Sequence, residues 1–167
     1  GYYGLNVTVP LKEEAYKYCD KTSDVAKTLK AVNTLIINND GVYGDNTDPI
    51  GFEKSIANKG LNNKLCLVLG AGGSARAVVY ALTHMKCEIG IYNRTRENAE
   101  SLCSDLGVEA KILTETTLRE FVGSSQLVVN TTSLGQQEGE ENNLIDFESL
   151  NSSAHVYDPV SYTHLTL

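Results

Sequence analysis

The sequence predicts an α/β fold in two units, the second built on a parallel sheet. Two observations carry that prediction. Leu65-Cys66-Leu67-Val68-Leu69 is an unbroken apolar run, the pattern of a strand buried on both faces. From there onward, strand-like and helical segments alternate, the order of a sheet whose strands run parallel. A third observation sets the first unit apart. Asn39-Asp40-Gly41 stands between two short apolar runs and signals a tight hairpin, hence an antiparallel pair.

Each element follows from local pattern. Residues 5–9 read as a short strand that Pro10 ends. Residues 12–18 read as a helix start, with Glu13 and Glu14 in the first turn, where negative charge meets the positive helix end. Residues 22–29 read as a second short helix. Residues 33–38, containing Thr-Leu-Ile-Ile, and 42–44 are the two arms of the hairpin. Residues 48–58 form a helix that Gly60 closes. The boundary between units falls near 56–62, dividing the chain into 1–58 and 59–160. In the second unit, 65–69 is a strand, 74–85 a helix and 87–92 another buried strand. Residues 95–106 are a helix ended by Gly107, 118–122 a short helix, and 127–130 and 156–157 further strands.

Composition narrows the function classes. The 167 residues carry 14 Lys plus Arg against 21 Asp plus Glu, a net charge of −7. An acidic chain without a basic cluster is poorly suited to nucleic acid or anionic membranes. No apolar run reaches the roughly 18 residues of a membrane span, and no basic-then-apolar leader opens the chain. Cys19, Cys66, Cys87 and Cys103 form no CxxC pair, so they read as reduced core thiols of a cytoplasmic protein rather than zinc ligands. The three histidines are scattered, so no metal site is expected. The opening at Gly1, without Met, and the short polar ending at Leu167 predict a fragment.

Gly70-Ala71-Gly72-Gly73-Ser74-Ala75 matches G-x-G-x-x-A between the first buried strand and its helix. The first glycine permits the tight turn, the second lets backbone approach a pyrophosphate, and the small last residue lets helix and strand pack closely. The helix start supplies free N–H groups and a positive dipole end. That context predicts a Rossmann-like dinucleotide site at Gly70, Ala71, Gly72, Gly73 and Ser74. An NAD site would carry Asp or Glu at the end of the second strand. Here Asn93-Arg94-Thr95-Arg96 stands instead. A carboxylate repels a 2′-phosphate and a guanidinium pairs with it, so Asn93, Arg94 and Thr95 point to NADP, with Arg96 a second candidate.

The first unit adds Asn6-Val7-Thr8-Val9-Pro10-Leu11-Lys12, Ala31-Val32-Asn33-Thr34 and Gly44-Asp45-Asn46-Thr47-Asp48. With the glycine loop and Asn93-Arg94-Thr95, this series resembles the shikimate dehydrogenase family in order and spacing, from about residue 4 to 160. The resemblance implies a partial α/β substrate-binding domain followed by a Rossmann-like, parallel-sheet NADP-binding domain. The implied reaction is NADP-dependent interconversion of 3-dehydroshikimate and shikimate in aromatic amino-acid biosynthesis. It implies Lys12 and Asp48 as the catalytic pair, with Thr8 and Asn33 holding substrate hydroxyls. A lysine ammonium can stabilise the alkoxide that forms when hydride reaches a carbonyl carbon, and can deliver the proton. The implied partners are the small-molecule substrate and cofactor, with the protein a monomer or homodimer. Asn130-Thr131-Thr132-Ser133-Leu134-Gly135 resembles the family's segment near the nicotinamide.

Departures from the family pattern qualify the expectation. The family's Ser-x-Ser segment and closing helices have no counterpart here. Asn98 stands where a basic residue usually follows the Asn-Arg-Thr segment. Ser161 to Leu167 reads as a non-native tail resembling translated adapter sequence. Three other readings compete: a quinate/shikimate dehydrogenase using NAD, a non-catalytic module that senses NADP, and one domain of a bifunctional enzyme with a dehydratase. Lys12 and Asp48 argue against the sensor, which needs neither.

Overall fold

The computed structural model describes residues 3–8, 10–132 and 145–159. The chain opens with β1 (Gly4–Asn6), α1 (Lys12–Lys17), β2 (Lys21–Thr22), α2 (Asp24–Leu29), β3 (Thr34–Asn38), β4 (Gly41–Asp45) and α3 (Asp48–Ile56). These four strands make one sheet in the order β1-β3-β4-β2. β3 pairs antiparallel with both β1 and β4, while β2 joins β4 in parallel. The hairpin turns on Asn39 and Asp40, with Asn38 opposite Gly41, and Gly41 takes φ +114°. The helix expected from residue 22 begins at Asp24, because Lys21 and Thr22 are drawn into the sheet and Ser23 caps the helix, accepting from the Ala26 N–H at 3.1 Å. α3 has Pro49 in its first turn, where a missing N–H costs nothing. It ends in a 3-10 turn, Ala57–Lys59, which Gly60 closes in the left-handed region.

The second sheet is built from β5 (Leu65–Leu69), β6 (Glu88–Tyr92), β7 (Lys111–Ile112), β8 (Leu127–Asn130) and β9 (His155–Tyr157). Its order is β7-β6-β5-β8-β9, and every pairing is parallel. Counted from β5 as the first strand, this is the Rossmann order 3-2-1-4-5, with its switch point between β5 and β8. The crossovers are α4 (Gly73–His84), α5 (Arg96–Leu106) and α6 (Glu115–Ser124). β7, which the sequence pattern does not predict, is only two residues long, too short to show periodicity. α6 is twice the length expected because Thr114 and Thr117 form a reciprocal cap at its start.

β5 explains the core. Cys66 and Val68 face one helical layer with α4, α5 and α3, while Leu67 and Leu69 face the other with Leu118, Phe121 and Val122 of α6. Successive side chains of a strand point to opposite faces, so a strand covered on both sides must be apolar throughout. Gly90 of β6 leaves room for Phe121, whose ring would lie 2.5 Å from a Cβ there. The two sheets are joined through α3, and through α2, whose Leu29 packs on Ala77 of α4. Phe52 and Ile56 belong to the β5–α4 core, and Phe52 meets Tyr157 of β9 edge-on, with centroids 5.1 Å apart.

Candidate active site

Lys12 and Asp48 are 36 residues apart in sequence and in direct contact in space, with Lys12 Nζ donating to Asp48 Oδ2 at 2.7 Å. Each is the first residue of its helix. The Leu11 N–H bonds the Thr8 carbonyl at 2.9 Å, turning the chain into α1, and the Lys12 carbonyl accepts from the Val32 N–H at 3.0 Å. The Lys12 side chain is 11% exposed and that of Asp48 31%, so the pair is shielded yet reachable.

Asp48 is held from three sides. Its N–H donates to Asn46 Oδ1 at 3.0 Å, and buried Asn46 is fixed in turn by donating to the Ala31 carbonyl. Its second oxygen accepts from Asn33 Nδ2 at 2.8 Å. The Asn33 amide also donates to Thr47 Oγ1 and accepts from Thr34 Oγ1 and the Thr47 N–H. All four positions of that amide are therefore engaged, and a ligand hydroxyl can bind Asn33 only by displacing one partner. Thr8 is exposed and shares no hydrogen bond with these residues. Asn46 and Thr47 had stood inside the Gly44–Asp48 motif without an assigned role. Only their contacts show that they orient Asp48.

A cleft of about 250 Å³ opens over the pair, lined by Lys12, Thr47, Asp48 and Phe52 on one side and Ser74 and Tyr157 on the other. Of the glycine-loop residues, Ser74 lines this cleft. Gly70 has φ +105°, and a Cβ there would stand 2.5 Å from Thr131 Oγ1. Its N–H donates to the Tyr92 carbonyl at 2.8 Å, which sets the loop beside the end of β6. Ala71 packs on the core below. Gly72 precedes α4 with no side-chain cap and open space around it. Gly73 and Ser74 then present the first N–H groups of a 12-residue helix, an anion-binding arrangement. A Cβ on Gly73 would touch the Lys12 stem at 3.4 Å, so the helix start abuts the lysine.

At the end of β6, Asn93 Nδ2 donates to the Thr95 carbonyl at 2.7 Å, and Thr95 precedes α5. The two arginines differ. Arg96 is tied to Glu100 along its own helix at 2.7 Å. Arg94 is exposed and makes no ion pair among the described residues. At the end of β8, Asn130 donates to Asp158 and Thr131 Oγ1 donates to the Leu69 carbonyl. Ser133, Leu134 and Gly135 of that segment, and the tail 161–167, lie outside the described residues. None of the four cysteines lines the cleft. Of these, Cys66 is buried and the others are partly so. Among the described residues no three His, Cys, Asp or Glu are grouped to hold a metal.

Known proteins resemble this chain over most of its length. A model described as the shikimate dehydrogenase substrate binding domain matches residues 1–35, and one described as shikimate / quinate 5-dehydrogenase matches residues 53–156. The chain is 43% identical over 134 residues to a shikimate dehydrogenase (NADP(+)) of Aquifex aeolicus, covering 79% of this chain and 48% of that protein. It is 44% identical over 138 residues to one of Acinetobacter baylyi, covering 80% and 53%. The chain thus spans about half the length of these curated relatives. Among solved structures, the Aquifex aeolicus shikimate dehydrogenase superposes with a TM-score of 0.82 at 37% identity, over 93% of this chain and 57% of that one. The Thermus thermophilus shikimate 5-dehydrogenase in complex with NADP(H) and shikimate gives 0.77 at 32%, over 95% and 58%. A quinate dehydrogenase of Corynebacterium glutamicum in complex with NAD gives 0.80 at 30%, over 96% and 60%. The motif series, the parallel 3-2-1-4-5 sheet and a family match spanning residues 53–156 together establish that this chain belongs to the shikimate / quinate 5-dehydrogenase family.

Proposed function

We propose that the chain carries the reacting core of an NADP-dependent dehydrogenase that interconverts 3-dehydroshikimate and shikimate. The observation that supports this most directly is the 2.7 Å Lys12–Asp48 pair placed against the N-terminus of α4. In this reading residues 1–58 belong to the substrate side and 59–160 to the cofactor side. The loop fits a dinucleotide. Gly72 leaves open space, the α4 N–H groups lack a side-chain cap, and Gly70, Ala71, Gly73 and Ser74 complete the cradle. Asn93, Arg94 and Thr95 bound the ribose end, with Arg94 the guanidinium for a 2′-phosphate.

Bound NADPH supplies a hydride to the carbonyl carbon. Lys12 faces the carbonyl oxygen, stabilises its growing negative charge and transfers a proton to it, giving the hydroxyl. Neutral Lys12 then regains a proton from solvent. Asp48 keeps Nζ aimed into the cleft and, with lone pairs to spare on both oxygens, accepts a substrate hydroxyl. Asn33 steadies Asp48 and meets a second hydroxyl by exchanging its bond to Thr47, while Thr8 contacts the substrate from the turn before α1. The partners on this reading are the two small molecules, with no nucleic acid or membrane. The protein acts in the cytoplasm as monomer or homodimer. No helix among the described residues is long and apolar enough to cross a membrane.

The test follows nicotinamide reduction by the complete gene product with shikimate and NADP, against quinate and NAD. Turnover confined to shikimate with NADP supports the proposal. Preference for quinate or NAD moves the assignment to the broader enzyme. Binding of NADP without turnover on any pair leaves a binding module.

A further inference from the structure

Arg76 directly follows the glycine-loop motif as the fourth residue of α4, and its side chain points away from the loop toward α1, α2 and α5. It is 8% exposed, and a charge so enclosed must find partners. All its partners come from other elements. Nη2 donates to Asp105 Oδ2 of α5 at 2.6 Å, and Nη1 donates to the Leu29 carbonyl at the end of α2 at 3.4 Å. Nε faces Glu13 Oε1 of α1 at 3.8 Å without a hydrogen bond of its own. Lys30, which ends α2, binds the other oxygen of Asp105. Leu29 and Ala31 pack on Ala77, the next residue of α4.

Two of these grips bracket the Lys12–Asp48 pair. Glu13 follows Lys12 in α1. Leu29 leads through Lys30 and Ala31 to Val32, whose N–H holds the Lys12 carbonyl, and to Asn33, which holds Asp48. One side chain rooted on the helix of the phosphate cradle therefore meets both the segment that carries Lys12 and the segment whose Asn33 holds Asp48. We infer that Arg76 is a positioning residue, setting where Lys12 and Asp48 sit relative to the N-terminus of α4 and so aligning the hydride donor with its acceptor. The inference rests on the dehydrogenase reading above. Arg76 acts through Glu13 and Leu29 and touches no reacting atom.

Hydride transfer is sensitive to such placement, since a misplacement of about 1 Å costs roughly 10²-fold in rate. The experiment compares the complete gene product with its Arg76→Gln and Arg76→Lys variants. It reads kcat, both KM values, and the primary isotope effect with shikimate deuterated at the reacting carbon. Arg76→Gln is expected to lower kcat about tenfold or more with both KM values held within about threefold, and to raise the isotope effect. Arg76→Lys, which keeps the charge and loses the fork, falls between. A folded Arg76→Gln with kcat and isotope effect unchanged overturns the inference. So does one in which both KM values rise while the isotope effect stays put. Should Arg76→Gln not fold, Asp105→Ala removes the acceptor of Nη2 at a partly exposed site. A raised isotope effect there supports the role, and an unchanged one overturns it. Absence of shikimate turnover in the unmodified protein overturns the dehydrogenase reading itself, and this inference with it, before any variant is compared.

Discussion

Replacing Lys12 by Met is the sharpest perturbation of the proposed chemistry. The lysine stem packs against Gly73, with its Cβ and Cδ 3.4 and 3.7 Å from where a Cβ would sit. Met keeps that length and apolar contact while deleting the ammonium, whereas Ala would also leave a void at the start of α4. The structural cost is small. The Lys12–Asp48 bond is partly exposed, at 11% and 31%, so it lies between a surface pair and a buried one, at about 1–2 kcal/mol. Water can reach the carboxylate left behind, and Asn33 still holds its other oxygen. In a domain of this size such a loss lowers Tm by roughly 2–8 °C, so the variant remains folded at room temperature. The kinetic cost is much larger, because the growing alkoxide loses its proton donor, and kcat should fall roughly 10²–10⁴-fold. The assay is steady-state turnover of shikimate with NADP beside a thermal melt and NADP titration. Expected is a large fall in kcat with cofactor affinity within about threefold, since the ammonium acts on the substrate oxygen and Met keeps the stem contact with Gly73. A folded variant with kcat unchanged would remove Lys12 from the reaction and leave its bond to Asp48 as architecture.

The two arginines at the end of β6 should separate. Arg94→Ala is expected to weaken NADP binding roughly 10- to 100-fold, the worth of a charge-assisted bond, and to leave NAD binding alone. Arg96→Ala, already committed to Glu100, should change it by no more than about threefold; calorimetric titration of both nucleotides decides. The glycines should separate as well. Gly70→Ala meets both a left-handed φ and Thr131 and should lower stability by about 1–3 kcal/mol in a denaturant titration. Gly72→Ala meets nothing within 4 Å and should keep its stability while losing NADP affinity. Asp105 gives a pH test. Lys30 first, then Arg76, holds its carboxyl below the usual value of 3.8. A depressed folded value means the contribution is complete above the unfolded pKa and is lost as pH falls through the folded one. The Tm advantage over Asp105→Asn should therefore be constant at neutral pH and shrink below about pH 4; an advantage that persists in acid would dismiss the Lys30–Asp105–Arg76 link as its source.

Much of the fold was legible because burial writes itself into composition. β5 had to be apolar throughout to sit between two helical layers, and the glycine loop had to follow it. β2 and β7 are not legible in the sequence because each is two residues long with an exposed lysine as one of the two, leaving no apolar run to read. α6 was read too short because its first turn is polar and is held by the Thr114–Thr117 cap. The site divides in the same way. The glycine motif in its strand–helix context singled out Gly70 to Ser74, while Lys12, Asp48, Thr8 and Asn33 became candidates through the family resemblance of their motifs. The difference between Arg94 and Arg96 was partly there to be read, since Arg96 and Glu100 stand one helical turn apart.

What the sequence determined by itself was the set of local constraints: which strand is buried on both faces, where a turn demands glycine, and which positions carry charge. Only the tertiary structure decided which distant groups meet. The 36-residue gap between Lys12 and Asp48 closes because β3 and β4 pair and return α3 beside α1. The saturated amide of Asn33 and the three grips of Arg76 likewise exist only once separate elements pack together. Hydrogen bonds between side chains are short and directional, so nearness along the chain says little about them, and the packing of α1, α2, α3, α4 and α5 against one another settles which ones form.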